Sequence, residues 1–79
     1  SNAETGEGYS DISIQTPERV GMIIELKYAD DGCLETACAE ALNQIEEKKY
    51  AEGLKRRGTK KIIKYGIAFC EKECMVVMA

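Results

Sequence analysis

Asp11, Glu25 and Lys27 are the residues of this chain whose types and spacing can do chemistry. Glu25 and Lys27 stand two apart in "IIELKYAD", residues 23–30, an otherwise apolar run. Side chains of a strand alternate faces, so these two point one way while Ile24, Leu26 and Tyr28 point the other. Asp11 opens an earlier run, "SDISIQT". With a turn at about residues 16–19, the two runs form an antiparallel hairpin that sets Asp11 opposite residue 24 or 25. Two carboxylates then converge within reach of one hard cation, and the backbone carbonyl of Leu26 is a further oxygen ligand. Mg²⁺ suits so sparse a site because it keeps several of its waters. Lys27 can orient or deprotonate a metal-bound water, or stabilise charge on a phosphate under attack. The pattern E-x-K on a strand also arises as a solvent-facing charge pair. The matching aspartate on the preceding strand is what argues for more.

Composition excludes several other chemistries. The 79 residues make one small domain with little spare core for polar intrusions. The chain has no histidine, which removes Ser/His/Asp and Cys/His catalysis and His-bearing zinc sites. Its four cysteines, Cys33, Cys38, Cys70 and Cys74, lack the paired C-x-x-C spacing of a zinc ribbon. They read as small buried thiols kept reduced in a cytosol, with a Cys70–Cys74 bridge as the alternative. A net charge of −3 argues against a protein that coats polyanions. The basic cluster "KRRGTKK", residues 55–61, reads as a solvated helix end with cations at its negative pole, or as a local nucleic-acid patch. No run approaches a membrane span and no signal peptide is visible, so a cytoplasmic protein is expected. The opening Ser1-Asn2-Ala3 reads as a remnant of tag cleavage, leaving residues 4–79 as the domain.

The elements that must position these residues follow from periodicity. "ETGEGY", residues 4–9, reads as an entry loop, and "SDISIQT" alternates as a half-buried strand. Pro17 marks the turn, and "VGMIIELKY" is the second strand. From Leu34, the residues Leu34, Ala37, Cys38, Ala41, Leu42 and Ile45 recur at helical spacing on one face, with Gln44 on its border. After Ile45 the pattern slips, since Tyr50 and Leu54 fall on roughly the opposite side. A bend near residues 48–52 and a helix end at Gly58 are therefore expected. "KKIIKYGIAF" is apolar on both faces and suits a central strand; "CEKEC" turns the chain into a last strand, "MVVM". The order is β–β–α–β–β, an α/β (α+β) mixed sheet whose strand–helix–strand crossover should be parallel and right-handed.

The order Asp…Glu-x-Lys, then helix, then strand resembles the PD-(D/E)XK nuclease superfamily. More closely, "ETGEGYSDI", "IIELK", "ALNQIEEKKYAEGL" and "KKIIKYGIAF" resemble the C-terminal nuclease-like domain of bacterial proteins whose N-terminal part is an AAA-type ATPase-like domain. The likeness spans nearly the whole chain. It implies a restriction-endonuclease-like fold in which Asp11, Glu25 and Lys27 form the active-site signature. It also implies that Gln44 extends the site from the helix and that Tyr50 completes a Q-x5-Y pattern. Two departures stand out. Tyr9 in Gly8-Tyr9-Ser10-Asp11 holds the place of an arginine, and the first helix and strand of the superfamily core, a common source of another acid, are missing.

These readings lead to Mg²⁺- or Mn²⁺-dependent hydrolysis of a nucleic-acid phosphodiester, with DNA as the expected substrate. Asp11 and Glu25 would hold the metal, weakly in this chain alone, while Lys27 activates water or stabilises the transition state and Gln44 positions water, lysine or phosphate. Two rivals accompany this expectation. One is a nuclease-like domain without catalysis that binds or regulates an ATPase partner. The other is an assembly module whose exposed sheet edge pairs with a second copy.

Overall fold

A tight turn closes the hairpin that carries the three charged residues. Thr16 accepts the Arg19 amide at 2.9 Å, its hydroxyl takes the Val20 amide at 3.1 Å, and Pro17 sits at the turn's second position, where its fixed φ fits. Arg19 completes the turn in the left-handed region, at φ 68°. The computed structural model describes residues 3–4 and 9–79, with side chains from Asp11 onward. Its strands are β1 (Ala3–Glu4), β2 (Tyr9–Gln15), β3 (Val20–Tyr28), β4 (Lys61–Cys70) and β5 (Glu73–Met78). Its helices are α1 (Leu34–Glu47) and α2 (Tyr50–Arg56).

The sheet order is β1-β2-β3-β4-β5. Strands β2 and β3 pair antiparallel, β3 and β4 parallel, and β4 and β5 antiparallel. The helical crossover between β3 and β4 thus gives the expected parallel neighbours, with β4 in a central position. Glu4 and Tyr9, expected in a loop, are paired strand residues of β1 and β2, and β1 begins within the presumed tag remnant. The rest of that loop, residues 5–8 with Gly8 among them, lies outside the described residues.

Helix α1 begins where Asp31 folds back to accept the Cys33 amide at 2.9 Å, after Gly32 turns the chain at φ 78°. It then lies on β3 and β4 through small residues. Ala37 and Cys38 meet Ala29 and Ala68 in one cluster, and Ile23, Ile45 and Leu54 form a second. Gly66 makes this approach feasible: a Cβ there would lie 2.6 Å from the Cys38 carbonyl oxygen and 2.9 Å from Leu42 Cγ. Gly66 is also the register partner of Glu25, so this tight helix–sheet approach is beside the glutamate.

The predicted break is a left-handed residue, Lys49 at φ 58°, between the helices. It redirects α2 so that Leu54, expected opposite the apolar stripe, is buried against Ile23 and Ile45. Helix α2 ends with Gly58 at φ 87°, the left-handed position that favours glycine after a helix. A left-handed conformation costs an L-residue about 1–2 kcal/mol. Lys49→Gly should therefore raise stability by about 1 kcal/mol, partly offset by the freer unfolded chain. Urea unfolding would show this as a higher midpoint at unchanged slope.

The cysteines depart from expectation in burial. Only Cys38 is buried; Cys70 is intermediate, and Cys33 and Cys74 are exposed. All four are free, and the strand register explains why Cys70 and Cys74 do not face each other. Cys70 pairs with Glu73, whereas Cys74 pairs with Phe69 and so points to the opposite sheet face.

The helices cover only the face carrying Gly21, Ile23 and Glu25. The other face presents Ile12, Ile14, Tyr28, Phe69, Val76 and Met78, all exposed. Tyr28 and Phe69 meet edge to face there, with ring centres 5.5 Å apart.

Candidate active site

Period-2 alternation and the hairpin register assemble the site. Asp11 is the direct Cα partner of Glu25, and Tyr9 that of Lys27, so Asp11, Glu25 and Lys27 share the helix-covered face. Glu25 is fully buried and Asp11 is 7% exposed. Carboxylates so far from water are stable only when charged and polar groups surround them. Those groups come from the α1–α2 junction. The Tyr50 hydroxyl donates to Asp11 Oδ2 at 2.5 Å. Lys48 Nζ lies 3.8 Å from Asp11 Oδ2 and 3.8 Å from Glu25 Oε2, and 5.9 Å from the Tyr50 ring centre.

Lys48 is the residue that sequence reasoning missed. A signal was available: it falls seven residues after Ala41 and three after Ile45, which continues the buried stripe of α1. The expected bend at residues 48–52 breaks that periodicity at Lys48 itself. Helix α1 ends one residue before it, and its amide still bonds the Gln44 carbonyl at 3.0 Å. The last turn therefore fixes where the side chain starts.

Lys27 stands on the same face but reaches toward α1, where its Nζ is 3.5 Å from Glu40 Oε1. These two residues help line a cleft of about 180 Å³ that also includes Asp30, Asp31 and Thr36. Gln44 is half-buried, and its amide donates to Glu47 Oε1 at 3.5 Å along the helix.

Burial, followed by the Asp11 hydrogen bond, pushes the Tyr50 phenol up to about 12; the Lys48 charge opposes the rise. Its folded pKa exceeds the ordinary value near 10, so its contribution to stability is intact below about pH 10 and is lost as pH rises through about 12. Tyr50→Phe removes this titration. The stability difference between wild type and Tyr50→Phe should narrow between about pH 10 and 12, as read by paired urea melts.

Asp11 and Glu25 are the residues that could hold a hard divalent ion. Among the described residues no group of three or more His, Cys, Asp or Glu side chains forms a metal cluster. An aspartate facing a glutamate instead gives two anionic oxygen donors and leaves other positions to water or phosphate, which is how Mg²⁺ is commonly held.

A mixed sheet with a helical crossover, bearing an aspartate paired with the glutamate of a Glu-x-Lys strand, defines a restriction-endonuclease-like domain. A family model described as the PD-(D/E)XK nuclease superfamily matches residues 1–79, and the chain belongs to that superfamily. Comparison with curated proteins and with solved structures gave no match. Among the described residues no helix is long and apolar enough to cross a membrane.

Proposed function

We propose that this chain is a divalent-metal-dependent nuclease domain that hydrolyses phosphodiester bonds of nucleic acid, DNA foremost. The observation that carries this reading is the register pairing of Asp11 with buried Glu25, with Lys27 next on the same face. Nothing in the fold's stability calls for two carboxylates side by side beneath a helix. Replacing such groups with apolar ones commonly leaves a fold as stable or more so. A metal and phosphate site does call for them.

Asp11 and Glu25 are the side chains that would hold Mg²⁺ or Mn²⁺, with the Leu26 carbonyl as a third donor. The bound ion would polarise the phosphate and lower the pKa of attacking water. Tyr50 holds the Asp11 carboxylate through its hydrogen bond to Oδ2, and so fixes the direction of Oδ1 as well. Lys27 supplies a positive charge beside the carboxylates, to be shared between Glu40 and a phosphate oxygen. Gln44, one turn before the α1–α2 junction, offers an amide to orient water or phosphate. The resemblance to ATPase-linked domains supports an AAA-type ATPase-like domain as partner in a longer chain.

Cleavage of a short DNA duplex and of the matching RNA, with Mn²⁺ or EDTA, tests the proposal. Cleavage by the natural full-length protein that needs Mn²⁺ and disappears in Glu25→Gln is the expected result. Binding of the duplex without cleavage under any metal would instead favour the non-catalytic, regulatory reading.

A further inference from the structure

We infer that Lys48 is a tethered cation that occupies the place of the divalent ion when that ion is absent, and that must leave for it to bind. The inference rests on the reading of Asp11 and Glu25 as metal ligands. Its own support is geometric. One ammonium lies at 3.8 Å from an oxygen of each carboxylate, so it straddles the pair that would chelate the ion. Asp11 Oδ2, the oxygen nearest Lys48, also receives the Tyr50 hydroxyl. Entry of a divalent ion onto Asp11 and Glu25 therefore competes with Lys48 for the same two anions.

The side chain is built to be displaced. Its stem is partly exposed, the side chain being 23% accessible, while the ammonium is buried over Glu25, which has no exposure. The side chain springs from the residue just after α1, immediately before left-handed Lys49, and not from the middle of a rigid helix. Four methylenes give the ammonium a wide arc about that fixed point. An incoming phosphodiester, carrying its own negative charge, offers the displaced ammonium a new partner. The ion and the substrate thus favour each other's binding, and the ion alone binds weakly. In the metal-free protein, Lys48 offsets part of the charge of two anions that repel each other under a helix.

Lys48→Met keeps most of the stem and removes the charge; Lys48→Arg keeps the charge. Two measurements decide. In urea melts without metal, Glu25→Gln should lower the midpoint clearly more in the wild-type background than in the Lys48→Met background, because Lys48 is a cation beside the buried anion. In calorimetric titration, Mn²⁺ should bind Lys48→Met at least about tenfold more tightly than wild type, a modest share of a unit charge at this range. Lys48→Arg should show no such gain. A Lys48→Met protein that binds Mn²⁺ no more tightly than wild type overturns the inference, as does a Glu25→Gln effect of the same size in both backgrounds. If neither protein binds Mn²⁺, even with a short duplex present, the metal reading itself fails and takes this inference with it. Wild-type binding with no gain in Lys48→Met defeats the inference alone.

Discussion

Lys27→Ala is expected to reduce metal-dependent cleavage by about a hundred- to ten-thousandfold, the range for losing one positioned acid–base or charge-stabilising group. The fold should survive. Lys27 is paired with Glu40 on the helix surface, and a partly exposed pair of this kind contributes only about 0.2–1 kcal/mol. Loss of activity should therefore accompany a nearly unchanged urea midpoint. That separation marks a group that works on the substrate. Lys27→Arg should recover little, because its planar fork replaces a compact ammonium in a cleft of about 180 Å³. A Lys27→Ala protein that cleaves as wild type would remove Lys27 from the mechanism while leaving the metal ligands untouched.

Gly66→Ala should damage stability and site together. The added methyl would stand 2.6 Å from a backbone oxygen of α1, which cannot rotate away as a side chain would. Helix α1 must lift from β4, and overpacking of this sort costs about 1–3 kcal/mol. A small domain has a total stability of roughly 5–15 kcal/mol, so that is a sizeable share. The lift is centred beside Glu25, the register partner of Gly66, and lets water reach a carboxylate that is otherwise fully buried. Urea unfolding of Gly66→Ala should show a midpoint clearly below wild type. Gly53→Ala is the contrast: a Cβ at Gly53 meets only the mobile ends of Arg57 and Arg56, at 3.7 and 3.8 Å, and alanine favours its helix. Equal midpoints for Gly66→Ala and wild type would show that the helix does not rest on this glycine.

Local pattern accounts for the parts of the fold that the sequence made legible. Strand β3 was readable to the residue, Val20 to Tyr28, because its alternation is bounded by a proline turn on one side and Asp30-Asp31-Gly32 on the other. The same alternation, with the turn at Pro17, places Asp11 against Glu25. The path of the chain after Ile45 was less legible. A helical wheel extrapolates through residue 49, but one left-handed residue resets the phase, so Leu54 packs on the face from which periodicity had removed it. Lys48 was hidden for a related reason. A lysine at a helix end reads as a dipole partner or a solvated charge, and only the tertiary fold shows it directed inward at two carboxylates. Cysteine burial failed similarly, since Cys33 precedes the helix and Cys74 faces the uncovered side of the sheet.

The central claim is that Asp11 and Glu25 jointly hold a divalent ion, and calorimetric titration with Mn²⁺ tests it most directly. Wild type, Asp11→Asn and Glu25→Gln would each be titrated with and without a short DNA duplex, in Ca²⁺-free buffer. Two carboxylates and a carbonyl leave most coordination positions to water, so the wild type should bind weakly alone and more tightly once phosphate oxygens complete the shell. Either substitution should abolish that duplex-dependent gain while the protein remains folded. Mn²⁺ binding that is the same in wild type and in both folded variants would place the ion elsewhere and contradict the account.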